Sequence, residues 1–200
     1  MTGHMGLAGH GDRCPQVRAR LYSRCAGFTL VEIAVVVGIM GIMMAMAVPS
    51  INTALIDARA NGAMRAVQGQ LRTARDAAVS LRRVVEVQFV GAGEVRSTRL
   101  EGTTRTLLQT TFLENGMQFQ VNSGVPDTPD AFGNARAVDF GGPTTIYFQP
   151  DGTLGDGTGL PISGTVNLGV PTRALSARAV TVLGPTGRVQ AYRWDSRAWR

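Results

Sequence analysis

Arg24-Cys25-Ala26-Gly27-Phe28-Thr29-Leu30-Val31-Glu32-Ile33 opens the stretch that decides the architecture of this chain. From Phe28 to Val48 run 21 residues, of which only Thr29 and Glu32 are polar. As a helix the run rises about 31 Å, close to the ~30 Å hydrocarbon thickness of a bilayer. Arg13, Arg18, Arg20 and Arg24 stand before it and Pro49 follows it. A carboxylate one turn inside an apolar span is costly without a partner. Glu32 is therefore the residue that asks for an explanation.

The flanks orient the span. Arginine-rich flanks stay on the cytoplasmic side, so the sequence predicts a cytoplasmic N-terminus and a translocated domain after Pro49. Residues 1–27 mix Gly, His, Arg and Pro without periodicity and read as a leader, with Met1 or Met5 as its start. Ordinary signal-peptide cleavage is a competing reading, with Ala45-Met46-Ala47 as a small-x-small site. The apolar run is long for that, and a plain signal anchor would not want Glu32. Lipid attachment at Cys25 would need an apolar stretch before it, where the chain is arginine-rich.

Gly27-Phe28-Thr29-Leu30-Val31-Glu32, the apolar run and Ala47-Val48-Pro49-Ser50 together resemble the N-terminus of type IV prepilins and type II secretion pseudopilins. The resemblance implies cleavage of Gly27–Phe28 by a prepilin peptidase and N-methylation of Phe28. It implies that Glu32 serves assembly by neutralising the methylated amine of a neighbouring subunit. Other pilins or pseudopilins and an inner-membrane assembly platform are the implied partners. The implied location is the bacterial inner membrane, single-pass, with a periplasmic C-terminal domain that also enters a filament. Glycine before the scissile bond leaves room for close approach of a protease to the backbone.

Beyond Pro49, which is expected to kink the helix, Met64, Val67, Leu71, Ala74, Ala78 and Leu81 recur in steps of three and four and predict an amphipathic helix to residue 83. Asn61-Gly62 is a weak point in it. Arg65, Arg72, Arg75 and Arg82 form a stripe beside the apolar face, read as solvated or as a surface for a partner or for phosphates. At Val84 the period changes to two. Strands are expected at 85–89, 94–100, 106–112, 117–121, 145–148, 164–168, 178–183 and 188–194, the last two as a hairpin around Gly184-Pro185-Thr186-Gly187. Residues 122–136 read as a long exposed loop. The order of elements predicts an α+β fold, a long N-terminal helix on antiparallel sheet. The expected division is a leader 1–27, a span 28–48, an amphipathic continuation 49–83 and an exported β-rich domain 84–200.

Ala74-Arg75-Asp76-Ala77-Ala78, Val85-Glu86-Val87, Ile146 through Gly152 and Gly187-Arg188-Val189 resemble the H-type minor pseudopilins of type II secretion and the related FimT-type minor pilins. That implies a minor pseudopilin of a short periplasmic pseudopilus, or a minor type IV pilin that primes assembly or binds DNA during uptake. For DNA, the basic C-terminus supplies Arg188, Arg193, Arg197 and Arg200, interleaved with Tyr192, Trp194 and Trp199. The plain alternative is a hairpin with one solvated face.

All twenty basic residues are arginine. After Gly27, sixteen arginines face thirteen acids, a net +3, which is not a nucleic-acid-like charge. His4, His10, Cys14 and Cys25 all lie in the leader. The chain from Phe28 onward therefore lacks the residues of ordinary triads, zinc sites and histidine acid–base schemes. No enzymatic activity, cofactor or metal is expected; the Asp151-to-Gly157 stretch fails calcium-loop spacing.

Overall fold

The computed structural model describes residues 27–200, with the backbone alone at 47–50. Residues 1–26 of the leader, with its two histidines, two cysteines and four arginines, lie outside the described residues. The chain divides into two compact units, one ending at Met44 and the other Ala45–Arg200. Helix α1 is assigned over Leu30–Leu81, without interruption at Pro49.

In the first unit the large apolar side chains from Phe28 to Met44 are 45% to 85% exposed. Among the described residues nothing covers them, and an uncovered apolar surface of this extent marks an interaction surface. Among the described residues, α1 is the helix long and apolar enough to cross a membrane.

In the second unit α1 buries Ala60, Val67, Leu71, Ala74 and Ala78, the face that the three-and-four spacing predicts. Leu81 is exposed instead, because the helix stops there. Arg82 adopts a left-handed conformation (φ 53°). Its N–H donates to the Val79 carbonyl, and that of Arg83 to the Ala78 carbonyl. This is a Schellman close, with arginine where glycine is usual. Asn61-Gly62 does not break the helix; Asn61 is used in a tertiary contact described below.

Ten strands follow: β1 Val85–Val90, β2 Glu94–Glu101, β3 Thr104–Phe112, β4 Gln118–Phe119, β5 Val138–Asp139, β6 Thr145–Phe148, β7 Leu154–Gly155, β8 Gly164–Gly169, β9 Arg178–Leu183 and β10 Arg188–Arg193. One sheet has the order β3-β2-β1-β6-β7. The other has β10-β9-β8-β4, with β5 also on β8. Every pairing is antiparallel. The fold is thus α+β, a long helix packed on antiparallel sheets.

The alternation in β1 points Val85, Val87 and Phe89 into the core, where Val166, Leu168, Val180 and Val182 of the second sheet and the helix face meet them. Phe89 stacks on Phe140 at 6.0 Å and meets Phe119 edge-on at 5.7 Å. Each such side chain contributes about 1.5–3 kcal/mol when fully buried.

The strand expected over 117–121 shrinks to two residues because the edge of β8 is shared. Gln118–Phe119 covers Gly169 and Leu168, and Val138–Asp139 covers Val166 and Thr165. The segment between them leaves and rejoins one edge. It is not simply an exposed loop. Asn122, Val125 and Pro129 are buried, and Asp130 accepts hydrogen bonds from Thr181 (2.8 Å) and Tyr192 (2.6 Å) of the second sheet.

Candidate functional site

The N-terminal end is built around a helix cap. Gly27, Phe28 and Thr29 are non-helical and exposed, and α1 starts at Leu30. The Glu32 N–H donates to Thr29 Oγ1 (3.2 Å), and the Ile33 N–H to the Thr29 carbonyl (3.2 Å). Thr29-Leu30-Val31-Glu32 has the Thr-x-x-Glu pattern of a capping box. Glu32 also lies in the first turn, where a negative charge suits the helix dipole. Sequence reading assigned Glu32 a charge role between subunits and missed this local one, although the spacing carries it. The Gly27–Phe28 bond sits in accessible, non-helical backbone before the cap. Among the described residues, no ion pair engages the Glu32 carboxylate.

The C-terminal arginines do not form one patch. Arg188 starts β10 and Arg193 ends it, about 17 Å apart at strand rise. Arg188 lies by Arg72 and Arg75 of α1, in a shallow groove that also holds Asp76. At the other end Arg193 approaches Asp57 at 3.5 Å, and Arg200 pairs with Asp195 at 2.6 Å. The tail reverses on itself. Arg193 and Arg200 exchange backbone hydrogen bonds of 2.7 and 2.9 Å, and Trp194 meets Trp199 at 5.5 Å. The Asp195 carboxylate accepts the Arg197 and Ala198 N–H groups, which hold its pKa below the ordinary value.

Arg178 is fully buried. Its guanidinium donates to Asp57, to Asn61 Oδ1 (2.8 Å) and to the carbonyls of Leu175 (3.0 Å) and Ala177 (2.8 Å). Burial pulls its pKa down, against the pull of Asp57 upward. Asp57 and Asn61 are one turn apart on α1, so two acceptors meet one planar fork. This ion pair fastens the helix to the second sheet.

The short segments that carry the minor-pseudopilin resemblance converge. Val85-Glu86-Val87 pairs with Ile146-Tyr147-Phe148. The chain then turns through Gln149-Pro150-Asp151-Gly152, where the Gly152 N–H donates to the Gln149 carbonyl (2.9 Å). Arg75 of α1 donates to the Gly152 carbonyl and to the Thr186 carbonyl, each at 3.1 Å. Gly187 is left-handed (φ 59°), and a Cβ there would lie 2.0 Å from the Gly152 carbonyl oxygen. Only glycine fits that junction. Two of the helix-stripe arginines are therefore engaged within the chain: the half-buried Arg75 clasps this junction, and Arg72, although exposed, donates to the Val189 carbonyl at 3.3 Å.

Glu86 is buried outside the core, held by Arg105 (2.7 Å), Gln88 (3.0 Å) and Tyr147 (3.4 Å). Burial, then this carboxylate, push the Tyr147 pKa up. Asp151 and Asp156 each accept from the backbone N–H and hydroxyl of a threonine two residues on. These bonds lower their pKa values and commit both to turns. Among the described residues, no three His, Cys, Asp or Glu side chains gather as metal ligands.

The family model described as the prokaryotic N-terminal methylation motif matches residues 22–48. That segment spans Gly27, Phe28 and Glu32. No curated protein sequence matches the chain. Among solved structures, the chain is similar to the type IV minor pilin FimU of Pseudomonas aeruginosa, at 18% identity and a TM-score of 0.47, covering 70% of this chain and 91% of that one. It is also similar to the minor pseudopilin EpsH of the type 2 secretion system of Vibrio cholerae, at 14% identity and a TM-score of 0.46, covering 68% and 97%.

Proposed function

We propose that this chain, a prepilin by its N-terminal methylation motif, is a minor pseudopilin of a type II secretion system. It is a structural, non-enzymatic subunit that joins a short periplasmic pseudopilus through its N-terminal helix. The observation that carries the reading is the coincidence of the matched motif with an accessible Gly27–Phe28 bond, an uncovered apolar helix and a carboxylate at residue 32. Prepilin peptidase processing and assembly with other pilins follow from the motif.

The proposed sequence of events begins in the inner membrane. The peptidase cuts before Phe28 and leaves the apolar helix attached to the domain. The new Phe28 amine is methylated. The helix then passes from lipid to the filament core, where other subunits cover the side chains that this chain leaves exposed. Burying one Leu, Ile, Val or Met is worth about 1.5–3 kcal/mol relative to water. Both lipid and filament core supply that, so packing and the Glu32 charge decide between them. Glu32 then meets the methylated amine of a neighbour, and the pair offsets the burial of both charges.

Mass spectrometry of the N-terminus tests processing. The expected mature end is N-methyl-Phe28, and Gly27→Ala should leave most of the protein uncut. A different N-terminus, or normal maturation of that variant, refutes it. Deletion of the gene separates the finer readings. Loss of exoprotein secretion with DNA uptake intact supports the pseudopilus assignment. The reverse pattern overturns it in favour of a minor type IV pilin.

A further inference from the structure

We propose that the end of the domain carrying Arg173, Leu175, Arg193 and the Trp194–Arg200 turn docks on the anionic lipid surface of the membrane in which the chain is anchored. The inference rests on the reading of residues 28–48 as a membrane span.

Three observations carry it. The first is charge. At this end Arg178 is buried on Asp57 and Arg200 pairs with Asp195, while among the described residues no ion pair engages Arg173 or Arg197. Arg193 is exposed at 3.5 Å from Asp57, and Asp127 adjoins the Pro126 carbonyl that Trp199 reaches. The five arginines here exceed these three carboxylates, so the rim is net positive. The second is chemistry. A groove between α1 and this end is lined by Ile56 and Leu175, with Arg173 and Arg193 set against Asp57 and Asp195. Leu175 is 56% exposed at the turn before β9. The Arg193 and Arg200 side chains are 56% and 78% exposed. Trp194 itself is buried, but exposed arginines around an outward leucine, with the half-buried Trp199 beside them, suit the headgroup layer.

The third observation is reach. Thr53 and Ala54 line the same groove. Thr53 is five residues beyond Val48, the end of the apolar run. Five residues of backbone span at most ~18 Å, so the groove wall is tethered near the bilayer surface. The opposite end of the second sheet, at Arg75 and Gly187, is reached only about six helical turns later.

Nucleic-acid phosphates are the competing anion, and they are disfavoured here. Arg188 is at the far end of β10, Arg178 is buried, and Arg200 and Arg193 are shared with aspartates. That leaves a small basic rim beside apolar groups, without a long cationic track. Each arginine near an anionic surface raises surface partitioning about fivefold. Tethering makes even that modest attraction effective, because the search is already confined.

The test uses the full chain with Cys14→Ser and Cys25→Ser, reconstituted through its own apolar segment. Leu175→Cys then carries a single fluorophore. Vesicles are pure phosphatidylcholine, or the same lipid with phosphatidylglycerol, each with nitroxide-labelled headgroups as quenchers. The expected result is strong quenching at position 175 with phosphatidylglycerol and at least about threefold less without it. Arg173→Glu with Arg197→Glu, or high salt, should remove the difference. The intrinsic fluorescence of Trp194 and Trp199 in the unlabelled chain should follow the same pattern, which guards against an effect of the label. A label at Leu107, on the edge strand β3, should report no quenching.

Equal or absent quenching at 175 in vesicles that carry the protein overturns the docking and leaves the span intact. A chain that does not float with either vesicle overturns the span and the docking with it. A short DNA duplex that displaces the label from phosphatidylglycerol vesicles at sub-micromolar concentration also overturns it, by assigning the surface to nucleic acid.

Discussion

Replacing Asp57 by alanine should destabilise the domain more than any other single change at an exposed or half-exposed helix position. The structure sets the size. Arg178 has no exposed surface, and its carboxylate partner is Asp57. Removing one member of a buried ion pair costs about 3–5 kcal/mol. Two features reduce that here. The Asp57 side chain is 33% exposed, so part of its interaction is screened by water. Arg178 also keeps its bonds to Asn61, Leu175 and Ala177. A loss of about 2–3 kcal/mol is expected. For a unit of this size each kcal/mol moves Tm by roughly 2–4 °C, so the melt of residues 45–200 should fall by roughly 5–10 °C. The sign of a second change is more telling. Arg178→Met removes the charge left behind, and the double variant Asp57→Ala/Arg178→Met should melt above Asp57→Ala alone. Asp76→Ala, on an exposed face of the same helix, should stay within about 0.5 kcal/mol of wild type. If Asp57→Ala melts at the wild-type temperature, or the double variant is worse than the sum of its parts, Arg178 is not held in the way described.

Two further outcomes test other parts of the molecule. Burial, then the Asp130 carboxylate, push the Tyr192 pKa up to about 12. A raised phenol pKa means that the folded state prefers the neutral form, so the contribution is complete below about pH 10 and is lost as pH rises from there through 12. Near-ultraviolet titration should show late ionisation, and Asp130→Asn should bring Tyr192 back toward 10. Unchanged titration in that variant refutes the role of the carboxylate. At the N-terminus, Glu32→Gln keeps a side chain that suits a capping box but removes the charge. It should be inserted and cleaved normally and should enter filaments several-fold less, judged by sheared-fraction immunoblot. Wild-type incorporation would reduce Glu32 to a cap residue.

The helix and the hairpin were legible because their periods are long and clean. Val67, Leu71, Ala74 and Ala78 repeat over three turns, and β9 and β10 flank a turn that only glycine can close. The short strands β5 and β7 were not legible. A two-residue strand has no period, and its pairing is decided by which edge of β8 or β6 is vacant. The 117–121 segment failed for the same reason from the other side: its alternation is real, but the ladder is capped by competition for β8. Sequence reading placed Arg178 at the start of the expected strand 178–183 and gave it no role of its own. The chain held the contrary signal. Arg178, Val180 and Val182 share one face of β9 by the two-residue period, and the valines are core. A charge in register with core valines must be buried and needs a partner. Asp57 and Asn61, one turn apart, offer it.

That lock also explains how a helix with a poor apolar face keeps its place. Three of its five buried apolar residues, Ala60, Ala74 and Ala78, are alanines. Small side chains give close approach but little registration, since sliding by a turn brings another small residue into contact. Between Ile51 and Ala60 the apolar grip is weak: Ile51 and Leu55 are exposed and Ile56 is only half-buried. Polar contacts do the registration. Asp57 and Asn61 hold Arg178 near the start. Gln70 donates to the Val95 carbonyl (2.9 Å) and Ser97 Oγ (3.1 Å), beside the register shift at Ser97/Thr98. Arg75 clasps Gly152 and Thr186 toward the end. These three anchors lie on different strands and loops, and a hydrogen bond weakens steeply beyond its short range. A displacement of one turn, 5.4 Å, would break all three together. The alanines permit close packing, and the polar contacts select which close packing is the native one.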